Sequence, residues 1–420
     1  MKRKHLWLVG VLLVVSFLIS RPMPARTQDE RLVLALYYAW FDWSTWEESL
    51  PDKPLQPYVS SSAIDRHVQE AQRAGIDALV LAWYGPSMEN NPTEPNFRTL
   101  LDEARSHETH AAISVDLGSP NFLQTTVAVQ DALKVLRDQH ARHSAYLRVD
   151  GKPVVFFWRQ EIFSVNSWKA IRNEVDPNRQ MIWIAEGANL DYLAAFDGLY
   201  LYSVAWSDEP DSVLVRWGNE VRAWNQAHET FRYWIATVMP GYNDLVTGRS
   251  DAFVRARDGG DFYRTCWAGA LRSEADWVVI TSFNEWMEGT YIEPSVNYGD
   301  TYLDLTSELA ADYRSADFMP TPTATPVITP TATPYITPTM TPIPTETPIR
   351  FSTPTLTPTP TFPPTAVLPP APTPVYATIT PTPGYKRPMM PVEGTNPKGC
   401  AIFPALLPLI VAGIINNKRR

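Results

Sequence analysis

The sequence has few cysteines for its length, with two in 420 residues. Cys266 lies in an apolar segment in the middle of the chain and Cys400 lies near its end, so a disulfide between them is not expected. The spacing of cysteines and histidines matches no metal-binding pattern. We therefore predict neither a disulfide framework nor a metal site.

The sequence also lacks a concentrated positive charge. The net charge is −9, and lysines and arginines are spread along the chain. Nucleic-acid binding depends on a basic patch, so no nucleic-acid partner is predicted. The first predicted strand is not followed by the glycine-rich loop that holds dinucleotide phosphates. We therefore predict no cofactor, and an open doubly wound sheet becomes the less favoured fold.

The N-terminus has the features of a secretory signal. Lysine and arginine occupy residues 2–4, an apolar run extends from Leu6 to Ile19, and Ala25 is a small residue suited to cleavage. This arrangement predicts a signal peptide over residues 1–25. The apolar run is short for a transmembrane helix, and an uncleaved anchor is the alternative.

Most of the 39 prolines follow residue 318. Residues 319–397 are built from Thr-Pro repeats, which cannot form a hydrogen-bonded core and predict a disordered, extended stalk. Residues 399–420 begin with Gly-Cys, continue as an apolar segment and end in basic residues. They predict a membrane or cell-surface anchor or sorting signal, with a frayed apolar tail as the alternative. The expected location is extracellular and surface-attached.

Residues 31–316 alternate between strand and helix patterns. Short runs of β-branched and aromatic residues are followed by segments whose apolar residues recur at helical spacing. The alternation amounts to eight strand–helix units. It predicts an α/β fold, a (β/α)8 TIM-type barrel.

The most informative segment joins a buried strand to two carboxylates. Trp277–Phe283 has the composition of a strand buried on both faces, and Glu285 and Glu288 follow it. Side chains alternate in extended chain, so both reach one substrate only if the chain turns at Trp286 and Met287. Two converging carboxyl groups are the equipment of glycoside hydrolysis. A solvated acidic loop is the alternative, but the buried approach argues against it.

Several aromatic side chains fall at or just after predicted strand ends, where a barrel enzyme binds its substrate: Tyr38, Trp40, Trp43, Trp83 and Tyr84. Packing at the rim or in the core is the alternative for each of them. His67 is predicted to be a partly exposed helix residue, and Glu293 either a sugar contact or a structural carboxylate.

The segment 280–294, ITSFNEWMEGTYIEP, closely resembles the endo-α-mannosidases of glycoside hydrolase family 99. YYAWFDW at 37–43 is similar to that family's first aromatic loop. The segment 60–85 is similar to its first helix and second strand. Shorter similar pieces follow in the expected order, at 151–153, 239–242 and 260–263. The resemblance extends over residues 31–315.

The resemblance implies roles for both glutamates. Glu285 takes the position of a base that deprotonates the sugar 2-hydroxyl, which attacks C1 to give a 1,2-anhydro sugar. Glu288 takes the acid/base position. The resemblance implies the family's retaining mechanism, which requires an ionised Glu285 and a protonated Glu288. Met287 departs from the family, which carries histidine there, and this leaves the glycan unspecified.

Side chains around the glutamates are predicted to bind the substrate: Tyr38, Trp83, Tyr202, Asn284 and Trp286. Trp83 resembles a tryptophan that lines the family's cleft, and Tyr202 resembles a tyrosine near its glutamates. For Asn284, orientation of Glu285 and turn formation are the alternatives.

We therefore predict a secreted, surface-tethered, endo-acting hydrolase of α-mannosidic bonds in mannan or mannose-rich glycans. Two alternatives stay open. One is a glycosyltransferase-like protein, because polysaccharide-biosynthesis proteins with a similar segment exist, although a secreted protein would not meet nucleotide-sugar donors. The other is a glycan-binding surface protein without turnover.

Overall fold

The structure, a computed structural model, describes residues 31–40, 50–56, 58 and 62–316. Within these ranges the strands, in chain order, are β1 (Val33–Tyr37), β2 (Ala78–Trp83), β3 (His110–Asp116), β4 (Arg148–Val149), β5 (Lys152–Trp158), β6 (Ile182–Glu186), β7 (Gly198–Tyr200), β8 (Tyr233–Val238), β9 (Tyr242–Asn243), β10 (Val254–Arg255) and β11 (Trp277–Ile280). Eight of them are parallel and form a closed ring in the order β1-β2-β3-β5-β6-β7-β8-β11, with β11 paired to β1. The predicted barrel is confirmed.

Helices connect the barrel strands on the outside. They are α1 (Ser62–Arg73), α2 (Thr93–Ser106), α3 (Thr126–Asp138), α4 (Val165–Val175), α5 (Pro210–Ala227), α6 (Asp261–Arg272) and α7 (Thr301–Ser315). Between β6 and β7 the connection is a 3₁₀ turn at Leu190–Ala194. The β9–β10 hairpin and the short strand β4 were not predicted, because two-residue strands are too short to produce a periodic pattern.

The predicted signal peptide (1–25), stalk (319–397) and anchor (399–420) lie outside the described residues, as does Trp43. In the ranges that are described, no helix combines the length and the apolar composition needed to cross a membrane.

The core has two apolar layers because side chains alternate along each strand. One layer fills the barrel and contains Val80, Phe156 and Val279. The other lies between strands and helices and contains Leu81, Phe157 and Val278. Since strands buried on both faces need apolar residues at every position, their sequences show near-continuous apolar runs.

Strand β11 ends earlier than predicted, at Ile280 and not at Phe283. From Ser282 onward the backbone also pairs within its own loop, since the Ser282 N–H donates to the Thr290 carbonyl at 2.9 Å. The strand therefore ends three residues sooner than predicted, and the loop begins there.

An aromatic cluster stabilises the layer between α4 and the barrel. Trp168 is fully buried and its ring centroid lies 5.2 Å from Phe157 and 5.1 Å from Phe196. Its indole N–H donates to the Gln160 carbonyl at 2.7 Å. The ring of Trp168 is thus buried among other aromatic rings, and its indole N–H has a hydrogen-bond acceptor.

Substituting Trp168→Ala should lower the free energy of unfolding by about 3–5 kcal/mol, because it removes a large buried ring and leaves a cavity. Urea unfolding followed by circular dichroism measures this loss. The control is Phe231→Ala, which truncates a half-exposed ring and should change stability by no more than about 0.5 kcal/mol. Equal losses for the two variants would contradict the assignment of Trp168 to the core.

Candidate active site

The two glutamates lie on one loop, residues 281–294, which we call the glutamate loop. Its backbone closes on itself through the Ile292 N–H to the Ser282 carbonyl (3.0 Å) and the Glu293 N–H to the Phe283 carbonyl (2.9 Å). A turn within it is closed by the Gly289 N–H to the Trp286 carbonyl (3.2 Å). The turn predicted between the glutamates is confirmed.

Gly289 lets the turn pack against the β8–α6 connection. It has φ +62°, and an added Cβ would lie 3.1 Å from both the backbone nitrogen and the Cβ of Asn243. The Asn243 N–H donates to the Glu288 carbonyl at 2.7 Å. This close backbone approach holds the Glu288 main chain against the neighbouring connection.

Glu285 lies almost fully inside the protein, with 6% of its surface exposed. Its N–H donates to Ser282 Oγ at 2.7 Å, and its Oε1 accepts from the Met287 N–H at 3.2 Å. Burial raises the pKa of the Glu285 carboxyl well above its ordinary value, and the negative charge of Glu288 raises it further.

Glu288 is buried to a similar degree, with 7% exposed. Unlike Glu285, it has strong donors: the Tyr202 hydroxyl donates to Oε2 at 2.8 Å, and Arg249 Nη2 lies 3.2 Å from Oε1. Burial raises the pKa of Glu288, but the Arg249 guanidinium and the Tyr202 hydrogen bond oppose this rise.

The two carboxyl groups share one electrostatic environment. The charge of each glutamate raises the pKa of the Tyr38 hydroxyl, which burial raises most. A single negative charge on the pair lies more favourably on Glu288, because among the described residues Arg249 and the Tyr202 hydroxyl both contact Glu288 directly. The free site therefore favours a proton on Glu285, which is the reverse of the distribution that the sequence resemblance implied.

Two tyrosines from different parts of the barrel rim meet beside Glu288. Tyr38 follows β1 and Tyr202 follows β7, and their hydroxyl oxygens are 2.9 Å apart. Since the Tyr202 hydrogen goes to Glu288, Tyr38 is the donor of this pair. The structure therefore brings both predicted tyrosines to the glutamates.

Trp83 was predicted to bind substrate, and that prediction is wrong. Its side chain is fully buried, lies in the layer between strands and helices, and donates from Nε1 to Glu94 Oε2 at 2.8 Å. The reason is the alternation of β2: Ala82 faces the barrel interior, so Trp83 faces α2. The next residue, Tyr84, lies at the mouth instead.

Asn284 and Trp286 were also predicted to contact sugar, and the structure assigns them to support. The Asn284 side chain is fully buried; its Oδ1 accepts from the Tyr38 N–H (2.8 Å) and its Nδ2 donates to the Tyr38 carbonyl (2.9 Å). Trp286 is 1% exposed, stacks on Tyr291 at 3.9 Å and donates to Glu293 Oε2 at 3.1 Å. Both residues hold the glutamate loop in position through these hydrogen bonds.

A buried polar network lies beneath this loop and corrects the prediction for His67. His67 is fully buried: Nδ1 lies 2.9 Å from the Tyr37 hydroxyl and Nε2 lies 2.9 Å from Glu293 Oε1. Glu293 Oε2 accepts from Tyr58 as well as from Trp286. Glu293 is thus a structural carboxylate that holds the loop, one of its two predicted roles.

His67, Glu70 and Glu293 bring possible ligand atoms within 4.8 Å of one another. Both ring nitrogens of His67 are already used in hydrogen bonds, so the arrangement is explained by the network itself. Absence of a metal stays a prediction.

Sequence reasoning missed several groups that line the mouth. Asp116 and Glu186 are the last residues of β3 and β6, and burial raises the pKa of each to about 7. The sequence alone could have indicated them, since they lie at or next to the ends of predicted strands and barrel enzymes place catalytic residues there. Arg249 carried no such signal, because it lies in the connection between β9 and β10 far from any predicted strand.

One side of the mouth carries a row of stacked rings. Tyr84 lies between Trp40 and Phe122, with centroid distances of 5.6 Å and 5.4 Å and interplanar angles of 8° and 7°. The charges of Asp116 and Glu285 both raise the pKa of Tyr84, which burial raises most, so this row borders the carboxyl groups. Flat apolar faces beside carboxyl groups suit a sugar ring.

A parallel barrel with a buried carboxyl pair at the C-terminal ends of its strands defines a glycoside hydrolase-type site. The model of glycosyl hydrolase family 99 matches residues 54–316, more than half of the chain. The chain belongs to this family, and the family resemblance of its sequence is confirmed.

The chain is also similar to known mannosidase-related proteins. The chain is 30% identical over 264 residues to the human glycoprotein endo-alpha-1,2-mannosidase-like protein, covering 58% of this chain and 56% of that one. It is 26% identical to the glycoprotein endo-alpha-1,2-mannosidase of Rattus norvegicus, over 56% and 54% of the two chains. The chain thus spans a little more than half the length of these relatives.

The GH99 endo-alpha-mannosidase from Bacteroides thetaiotaomicron matches in structure with a TM-score of 0.57 and 23% identity. The match covers 67% of this chain and 97% of that one. At this identity the similarity shows that the two share the barrel fold.

Arg249→Met should move the whole pH–rate profile to higher pH. The guanidinium lowers the pKa of both Glu285 and Glu288, so its removal raises both. The acidic limb, where the base must lose its proton, and the basic limb, where the acid must keep it, then both move upward. Initial rates across pH for the wild type and the variant measure the shift.

The matched control is Arg264→Met, which removes a surface arginine paired with Glu308 at 3.0 Å. It should leave both limbs unchanged. A profile that stays in place, or moves to lower pH, in Arg249→Met would contradict the electrostatic role of Arg249.

Proposed function

We propose that the protein is an endo-acting hydrolase of α-mannosidic bonds in mannan or mannose-rich glycans, and that it retains the anomeric configuration. The observation that carries the proposal is the buried pair Glu285 and Glu288 at the barrel mouth, held by Tyr202 and Arg249. The substrate class is supported by the names of the relatives, which are endo-mannosidases or similar to them.

In the first step, the Glu285 carboxylate takes the proton of the 2-hydroxyl, and that oxygen attacks C1 of the same sugar. The bond from C1 to the leaving oxygen breaks, and Glu288 gives its proton to that oxygen. The products are one part of the glycan, which ends in a 1,2-anhydro sugar, and the leaving part, which carries the newly protonated oxygen. In the second step, Glu288 deprotonates a water that attacks C1, and Glu285 returns its proton to O2 as the epoxide opens.

The mechanism needs the proton on Glu288 at the outset, whereas the free site favours it on Glu285. Both arrangements hold one proton on the pair, so changing between them requires no change of pH. A bound sugar selects the required one: its 2-hydroxyl donates to an ionised Glu285, and its leaving oxygen accepts from a protonated Glu288. Substrate binding thus shifts the proton between the two groups.

Met287 places an apolar thioether where the family carries a hydrogen-bonding histidine. Its thioether packs against the apolar cluster inside the barrel, and its N–H is bonded to Glu285. Any contact that this side chain makes with a sugar is apolar, since a thioether is at most a weak acceptor. The preferred glycan then depends on shape at this position more than on a hydrogen bond.

Glu285→Gln and Glu288→Gln should behave differently with two leaving groups. Each variant should lose about 100-fold or more in kcat on soluble α-mannan, because each lacks a proton-transfer group. With a disaccharide α-mannosyl fluoride, whose fluoride leaves without a proton, Glu288→Gln should give a burst of fluoride while Glu285→Gln should not. Stopped-flow fluoride release measures the burst.

Glu308→Gln serves as the control, since it neutralises an exposed surface glutamate and should leave both readouts unchanged. The assignment fails if either glutamine variant turns over mannan at the wild-type rate. Binding of mannan by the wild type without release of oligosaccharides would favour the glycan-binding alternative. Extension of the glycan in the presence of a sugar donor would favour the transferase alternative.

We also propose that the protein is secreted and held at the cell surface. The proposal rests on the signal-like residues 1–25, the Thr-Pro stalk 319–397 and the apolar, basic-ended segment 399–420. Deleting residues 399–420 should move the protein from the membrane or cell-wall fraction into the medium. Cell fractionation with immunoblotting measures this, and the full-length chain is the control. Retention of the truncated protein with the cells would argue against a C-terminal anchor.

A further inference from the structure

Trp206 is an exposed tryptophan at the mouth of the barrel. Its side chain is 58% exposed, although an indole ordinarily has much apolar area to bury. It lies on the connection from β7 to α5, which also carries Tyr202, the hydroxyl donor to Glu288. Four residues of chain span at most about 14 Å, which limits the distance between the Cα atoms of Trp206 and Tyr202.

The orientation of Trp206 is set by its surroundings. Its Nε1 donates to the Ser203 carbonyl at 3.0 Å, which leaves the ring face to solvent. Arg255 on β10 holds the same connection, donating from Nε to the Ala205 carbonyl at 2.9 Å and pairing with Asp208 at 2.8 Å. The loop that carries the ring is thus held by hydrogen bonds, so a ligand that packs on the ring causes little loss of loop entropy.

The barrel order places Trp206 opposite the stacked row of Trp40, Tyr84 and Phe122. Tyr84 follows β2 and Trp206 follows β7, and these strands are four positions apart in either direction around the ring. The glutamate loop follows β11, which lies between them on one arc. A glycan that runs along this arc from one aromatic group to the other passes the glutamate loop.

We propose that Trp206 is a sugar-binding platform for the leaving-group part of the glycan, with the Asp208–Arg255 pair beside it as a hydroxyl-binding edge. This inference rests on the proposed endo-mannosidase function. The occupant is a sugar unit beyond the bond that is cut, because Trp206 shares its loop with the hydroxyl that contacts Glu288, the proton donor to the leaving oxygen. An endo-acting enzyme binds sugar units on both sides of the cut, and the two aromatic groups would supply one contact on each side.

The test compares two substrates in the full-length enzyme: soluble α-mannan, which has sugars beyond the cut, and a disaccharide α-mannosyl fluoride, which has none. The readout is the ratio of kcat/KM for mannan to kcat/KM for the fluoride. In Trp206→Ala this ratio should fall by about tenfold, the loss expected for one aromatic contact, mainly through KM. Trp206→Phe, which keeps a flat ring, should restore much of it.

Phe231→Ala is the matched control. Phe231 is 50% exposed but lies just before β8, at the opposite end of the barrel, so its removal should not change the ratio. An unchanged ratio in Trp206→Ala, or equal losses on both substrates, would overturn the proposal for Trp206 while leaving the proposed activity intact. If the wild type cleaves neither substrate, the proposed function itself fails.

Discussion

The site depends on two carboxyl groups held out of water beside each other. Desolvation raises the pKa of both, and the field of one acts on the other, so the pair favours a single shared negative charge. Arg249 and the Tyr202 hydroxyl decide where that charge lies in the free protein. The turn at Gly289 and the tyrosine pair hold Glu288 in its position.

That arrangement is held from below by hydrogen bonds that do not touch the substrate site. Glu293 accepts from Trp286, the residue directly after Glu285, and lies against His67 on α1. Asn284 ties the glutamate loop to the end of β1 through two hydrogen bonds. The polar residues around the glutamates thus divide into a supporting layer and a layer at the mouth, and sequence neighbours such as Asn284 and Glu285 belong to different layers.

The mouth of the barrel is lined by carboxyl groups and by a row of stacked aromatic rings. Asp116, Glu186 and the glutamate pair add carboxyl groups at strand ends, and burial brings the pKa of the first two to about 7. The stacked row through Tyr84 provides the flat apolar surface that carboxyl groups alone do not offer. Hydroxyl recognition and ring stacking together are what carbohydrate binding requires.

The amino-acid sequence by itself determined the barrel, because each strand–helix unit has its own local period and the units repeat in order. It also determined the glutamates and the turn between them, since these lie within one short segment. Only the tertiary structure decided which side chains face the mouth of the barrel. Whether Trp83 or Tyr84 faces the mouth depends on the register of β2 in the closed ring. That Arg249 meets Glu288 depends on a hairpin whose strands are too short to leave a pattern. Contacts between distant segments follow from packing, and local periodicity carries no information about them.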